Sequence, residues 1–358
     1  MLRPPVSRLH NHSSTGARTT PARAPVPRFA RMRTIVAALA LGMAGSMASA
    51  AADGSDPPEP LETFQRSEDR LFRVGYRLAT ANAAFCDQTV RVSGLLIHDA
   101  GSYSDPAAVR RQFGLLGDIG VQAVAPLSPA DAAGIRQNDT ILAIAGRTIE
   151  AEWPLTNPRW QRVSALRDVV DDALSRGTLD LSLSRAETPA LAASITGVPA
   201  CPTRFELVDS KSSAAADGSR VLVGENFPGL AYDEASFAAA IAHEMAHNIL
   251  RHPQTFAEIG WKRKLVRLSE RDADRLMPWI LQNAGYDPAA AVRFMRTWGP
   301  KHGGWIFRKR THDGWDERVE FIEAELAKIA EAAQSHPAGL ADWQTGFVPE
   351  LEIPHEAN

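Results

Sequence analysis

The chain has 358 residues, 44% hydrophobic and 23% charged, with a formal net charge of -3. This composition excludes a disordered or fibrous chain, and the length suits roughly two domains. So small a net charge gives no electrostatic reason to expect a nucleic-acid partner.

At the N-terminus the charge is nonetheless lopsided. No Asp or Glu occurs from Met1 to Ala52, while seven arginines fall between Arg3 and Arg33. Arg31 and Arg33 form a basic region, Thr34 to Met47 a short apolar run, and Ala48-Ser49-Ala50 an A-x-A cleavage site, the layout of a secretory signal peptide. An uncleaved anchor and an acid-free organellar transit peptide are the alternatives, and Met32 is a second candidate start. The apolar run is short for a membrane span, and no later stretch is long and apolar enough for one. A periplasmic or secreted location is therefore expected. Cys86 and Cys201 are the two cysteines. In an exported chain an even pair suggests one disulfide, against two separate buried thiols.

Residues 51–60, "AADGSDPPEP", read as a linker. Leu61, Phe64, Leu71, Val74, Leu78 and Phe85 then recur at a roughly helical period. From Thr89 the pattern turns to short strands, "TVRVSGLLIH", "GVQAVAPL", "TILAIAG" and "LDLSLSRA", with a helix, "SALRDVVDDALSRG", before the last. Strands "RFELVDS" and "SRVLVGENF" follow Cys201. From Asp233 to about Ala333 nearly everything reads as helix, broken at Pro253, at Gly285-Tyr286-Asp287-Pro288 and at "WGPKHGGW".

The chemistry concentrates in "AIAHEMAHNILRH", Ala240 to His252. Asp233 is a good N-cap for an Ala-rich helix free of Pro and Gly. On it His243 and His247 stand one turn apart on one face, where two imidazoles can share a metal ion, and Glu244 lies beside them to polarise water. A catalytic zinc needs a third protein ligand and an open fourth position. Position 250 is Leu, so a third histidine at the metzincin spacing is absent. Glu270, in "LVRLSERDADRLMPWILQNAGY", is the candidate, and Asp274 one turn further can accept a hydrogen bond from a ligand histidine. His252 is expected to cap the helix end rather than bind metal. A half-buried helix with incidental histidines, and a solvated Glu270, are the bland alternatives.

These segments, followed by "THDGWDER", resemble the HtpX/BepA-type gluzincins, family forty-eight of the metallopeptidases, which includes the CAAX prenyl endopeptidases. The resemblance covers roughly residues 202–330 plus the first helix. It implies that His243, His247 and Glu270 bind one Zn2+, that Glu244 is the general base, and that Asp274 supports a ligand from behind. His312 falls where the family's late histidine faces the reaction intermediate, although Asp313 replaces the family's proline. It also implies an edge strand at Arg220–Glu225 along which substrate lies extended.

A second resemblance, to the PDZ domains of bacterial proteases, rests on Gly114-Leu115-Leu116-Gly117 and on "SPADAAGIRQNDTILAIAGRTI". It implies that the loop amides hold a peptide carboxylate beside a helix at Ser164 to Arg176, against the alternative of a spacer without ligand. Intramembrane site-two proteases combine the same two features but need several apolar spans, which this chain lacks.

The fold class expected is therefore α+β. A mostly helical gluzincin-type zinc metallopeptidase domain with a small edge-strand sheet would carry an inserted β-rich PDZ-like domain. The divisions are a leader and signal peptide (1–50), linker (51–60), first peptidase helix (61–88), PDZ-like domain (89–198), metallopeptidase domain (199–335) and irregular tail (336–358). The expected function is an exported, soluble zinc endopeptidase acting on protein or peptide substrates in envelope quality control. The alternatives are a catalytically weak zinc-binding chaperone-like or peptide-binding protein, and a zinc-stabilised structural domain.

Overall fold

A computed structural model describes residues 60–156, 159–186, 188, 190–209, 211–302 and 313–351. The expected signal peptide and His312 lie outside the described residues.

Helix α1 (Pro60–Ala81) buries Leu71, Val74, Gly75, Leu78 and Ala79, the three-and-four spacing of one face. Gly75 is required by packing, because a Cβ there would overlap the Phe205 ring. The helix ends before residue 88. Fully buried Asn82 leaves it, donating to the carbonyls of Leu78 (2.9 Å) and Ile280 (3.1 Å), and a 3-10 turn covers Ala83–Phe85.

A β-rich segment follows. It runs β1 (Val90–Val92), β2 (Leu95–Asp99), α2 (Pro106–Phe113), β3 (Ile119–Val124), α3 (Pro129–Ala132), β4 (Thr140–Ile144), β5 (Arg147–Thr148) and α4 (Ile149–Glu152). Then come α5 (Trp160–Arg176), β6 (Thr178–Ser184), β7 (Leu191–Thr196) and β8 (Val198–Ala200). The main sheet has the order β2-β3-β4-β6-β7, with β5 paired to β4. Strand β6 alternates exposed and buried positions, so Leu179, Leu181 and Leu183 face inward under α5. With Ile97, Ile119, Ile141, Leu166 and Ile195 they make an apolar core of the segment's own.

At its two ends β1 and β8 pair antiparallel, Val90 opposite Ala200. Just outside them Cys86 and Cys201 form the expected disulfide, with Cα atoms 5.6 Å apart across 115 positions.

The second half opens with β9 (Arg204–Val208), β10 (Ala214–Ala216) and β11 (Arg220–Gly224), in the order β10-β11-β9. This corrects the edge-strand expectation. β11 is paired on both sides, parallel to β9 and antiparallel to β10, and the edge is the alanine strand β10. Helices α6 (Glu234–Ile249), α7 (His252–Ile259), α8 (Arg263–Asn283), α9 (Ala290–His302), α10 (Trp315–Ser335) and α11 (Trp343–Gly346) complete the chain. α9 continues through Gly299 and Pro300, where "WGPKHGGW" suggested a break. A Cβ at Gly299 would overlap that of Trp315, so the glycine permits a close approach of α10.

One core joins Leu71 and Leu78 of α1 to Phe237 and Ile241 of α6, Leu276 and Ile280 of α8 and Met295 of α9. Residues expected in an irregular tail belong to it too: Trp343 and Phe347 are buried, and the Glu350 and Leu351 amides donate to Asp272 at 2.7 and 2.8 Å. No helix among the described residues is long and apolar enough to cross a membrane.

Candidate metal centre

The Asp233 side chain caps α6, accepting from Ser236 N–H at 2.9 Å. Alanines 238–240, 242 and 246 let neighbours approach the helix from almost every side, so His243 and His247 are buried although they sit at its middle and end. Their Nε2 atoms stand 3.3 Å apart. From α8, Glu270 places one carboxylate oxygen 3.4 Å from His243 Nε2 and the other 3.6 Å from His247 Nε2. All three ligand atoms lie within 4.8 Å of one another. A tetrahedral ion with bonds of about 2.0–2.1 Å would have ligand–ligand edges of about 3.3 Å, the separation of the two imidazole nitrogens and close to that of each from its nearer Glu270 oxygen, so the group could hold an ion of zinc's size.

Each histidine is backed on its Nδ1 side. His243 Nδ1 is 3.1 Å from Asp274 Oδ1, at an angle that misses a linear hydrogen bond. Asp274 in turn accepts two bonds from Arg318, at 2.6 and 2.7 Å. His247 Nδ1 is 2.9 Å from His252 Nδ1. His252 is therefore not the cap of α6. The chain turns at Arg251, with φ 56°, and brings the His252 ring beneath the site at the start of α7, 2% exposed.

The buried carboxylates favour positive charge here. Burial pulls His243 toward the neutral form, but Asp274 and Glu270 reverse this and raise it to about 10. For His247 burial prevails and lowers it to about 4. Burial also pushes Glu244 up to about 7; Glu270 reinforces this, while His243, the Ala216 N–H and Arg318 oppose it. Asp274 stays below the usual carboxylate range because Arg318 and His243 outweigh its burial.

Glu244 opens onto a cleft of about 390 Å³ that runs between β10 and the aromatic residues Phe227, Phe294 and Trp298. Along β10, Ser213 O accepts from Gly224 N (2.9 Å) and Asp217 N donates to Arg220 O (3.1 Å). Alternation in an antiparallel ladder then turns the backbone groups of Ala214 and Ala216 away from β11, toward the cleft, where Ala216 N–H meets Glu244. Asn248 pins the β10–β11 turn to α6, accepting from Gly218 N (2.7 Å) and donating to Arg220 O (3.1 Å).

Sequence reasoning singled out His243, Glu244, His247, Glu270 and Asp274, and the fold brings all five together. It did not single out Asn248, nor the pairing of Arg318 with Asp274. The one signal for Arg318 was its place in "THDGWDER". Asp313, in the same stretch, is held by Arg271 at 3.0 and 3.1 Å, which ties the residue to α8.

The loop Gly114–Gly117 requires correction. Gly114 ends α2 with φ 65°, and its N–H donates to Arg111 O. Leu115 is buried and donates to Arg110 O (2.9 Å), and Leu116 N–H donates to Thr140 Oγ1 (2.9 Å). Three of the four amides are thus engaged, so the loop is a helix-ending turn and not a carboxylate cradle. The groove between an edge strand and a helix lies instead along β2 and α5. There a cavity of about 140 Å³ is lined by Leu95, Ile97, Val170 and Leu174, and by Phe72 and Tyr76 of α1.

No protein-family model matches the chain, and no curated protein matches it.

Proposed function

We propose that the protein is a zinc-dependent endopeptidase of the gluzincin type. The supporting observation is the convergence of His243, His247 and Glu270 on one point, with Glu244 beside them in a cleft whose wall is an open strand edge. His243, His247 and Glu270 would hold the metal, which when bound supplies Lewis-acid polarisation of water and of a substrate carbonyl. Glu244, beside the ligand set and lining the cleft, is placed to take a proton from the attacking water and return it to the leaving amine. An extended peptide adds to β10, using the cleft-facing groups of Ala214 and the Ala216 carbonyl. The aromatic wall opposite favours apolar side chains beside the scissile bond.

The β-rich segment serves as a PDZ-like insertion, with its groove at β2 and α5, and the Cys86–Cys201 bond accords with an oxidising, extracytoplasmic compartment. Zinc content and casein cleavage of the purified protein test the proposal. One zinc per chain with cleavage abolished by chelation is expected. Stoichiometric zinc without cleavage points to the peptide-binding, chaperone-like alternative, and no zinc overturns both.

A further inference from the structure

We propose that His252 is a positioning residue for the metal centre. It accepts a hydrogen bond from His247 Nδ1–H and so fixes the tautomer and ring plane in which His247 presents Nε2. The inference rests on the metal-site reading above.

The two Nδ1 atoms are 2.9 Å apart, a hydrogen-bond distance with room for a single proton between them. His247 Nε2 faces Glu270 and His243 Nε2, so a metal there takes its lone pair. A neutral His247 must then carry its proton on Nδ1, and His252 Nδ1 can only accept it. His252 keeps its own proton on Nε2. The rings meet at 71° with centroids 5.0 Å apart, an edge-on approach that a rotated His247 ring would lose.

The arrangement answers Asp274 behind His243. One ligand histidine is backed by a carboxylate paired with Arg318, the other by a neutral imidazole. The neutral acceptor orients His247 without adding a fourth carboxylate to a buried cluster that already holds Glu244, Glu270 and Asp274.

The test is zinc affinity by chelator competition for the parent, His252→Leu and His252→Asn. The Asn side-chain oxygen falls near the position of the imidazole Nδ1 and can accept the same bond. Loss of a partner that orients a ligand typically lowers metal affinity 10–100-fold, so His252→Leu should fall about that far while His252→Asn stays within about threefold of the parent. A purely structural role would weaken both variants alike. In the zinc-loaded parent, long-range 1H–15N correlation spectra should show His247 protonated at Nδ1 and His252 at Nε2. Equal zinc affinity in parent and His252→Leu, equal loss in both variants, or a proton on His252 Nδ1 overturns the inference and leaves the metal-site reading standing. A parent that binds no zinc removes that reading, and the inference with it. Because affinity is measured apart from hydrolysis, a zinc-binding but inactive protein still decides the question.

Discussion

Glu244 touches the cleft but lies outside the ligand set, which separates binding from chemistry at the scale of single residues. Glu244→Gln should keep zinc at the parental level and lose hydrolysis by about 10²–10⁴-fold, the usual worth of a positioned base. Metal analysis and peptide kinetics on the same preparation check it. Glu270→Ala should lower zinc affinity and activity together, and Asp274→Ala should weaken zinc by about 10–100-fold, both read by chelator competition. A further residue predicts a pH effect. His98 is buried against Tyr103 and Phe113, its two ring nitrogens lack hydrogen-bond partners, and burial lowers it to about 4. Because the folded state resists protonating this group while the unfolded chain accepts a proton near 6.5, stability is full above that pH. It declines as pH falls toward 4, by up to roughly 3 kcal/mol. Urea unfolding at pH 7 and pH 4.5 should show a steeper loss for the parent than for His98→Leu. The five residues of the candidate metal site were legible because their spacing is a local property of two helices. Arg318 owes its position to how α10 docks on α8, and His252 to the left-handed turn at Arg251, neither of which helical spacing encodes.

At the level of elements, β10 is the strand on which the proposed substrate geometry depends. Ala214→Pro removes an N–H that faces the cleft and leaves the β11 ladder intact, as an edge strand tolerates. It should lower kcat/KM by about 3–10-fold, the worth of one hydrogen bond, with unchanged thermal stability. Ala215→Pro, whose N–H faces β11, should instead lower the melting temperature. Equal behaviour of the two variants in both assays would reject strand addition at β10. This strand escapes sequence reading because "SSAAA" has neither β-branched nor aromatic residues, whereas "SRVLVG" has the strand signal and the resemblance assigns it the edge. The Gly114–Gly117 loop misled for the opposite reason. A glycine-rich string looked like a ligand cradle, but one of its glycines supplies the left-handed residue that ends α2. α6 was readable because the Asp233 cap and its alanine-rich composition agree, and α8 because its apolar period persists across Pro278 without any side-chain cap.

For the whole molecule, α1 shares one core with α6 and with α8 to α11 although the β-rich segment lies between them. The Cys86–Cys201 bond closes a loop of 115 positions, for which the chain-entropy estimate is about 4–5 kcal/mol. Reduction should lower the urea midpoint by a corresponding amount without changing secondary structure at neutral pH, measured by circular dichroism. The β1–β8 ribbon has a further consequence for the order of events as the chain folds. Joining α1 to β9 across an open excursion of that length carries a closure entropy of about 4 kcal/mol, met before any helix contact rewards it. If the β-rich segment collapses first around its own core, its pairing of Val90 with Ala200 delivers α1 to within a few residues of β9. The search for the long-range contacts then shrinks to that of a short turn. On that order the ribbon would split a topology of long-range contacts into two local problems in sequence, and the cysteine bond would form at the end of the first.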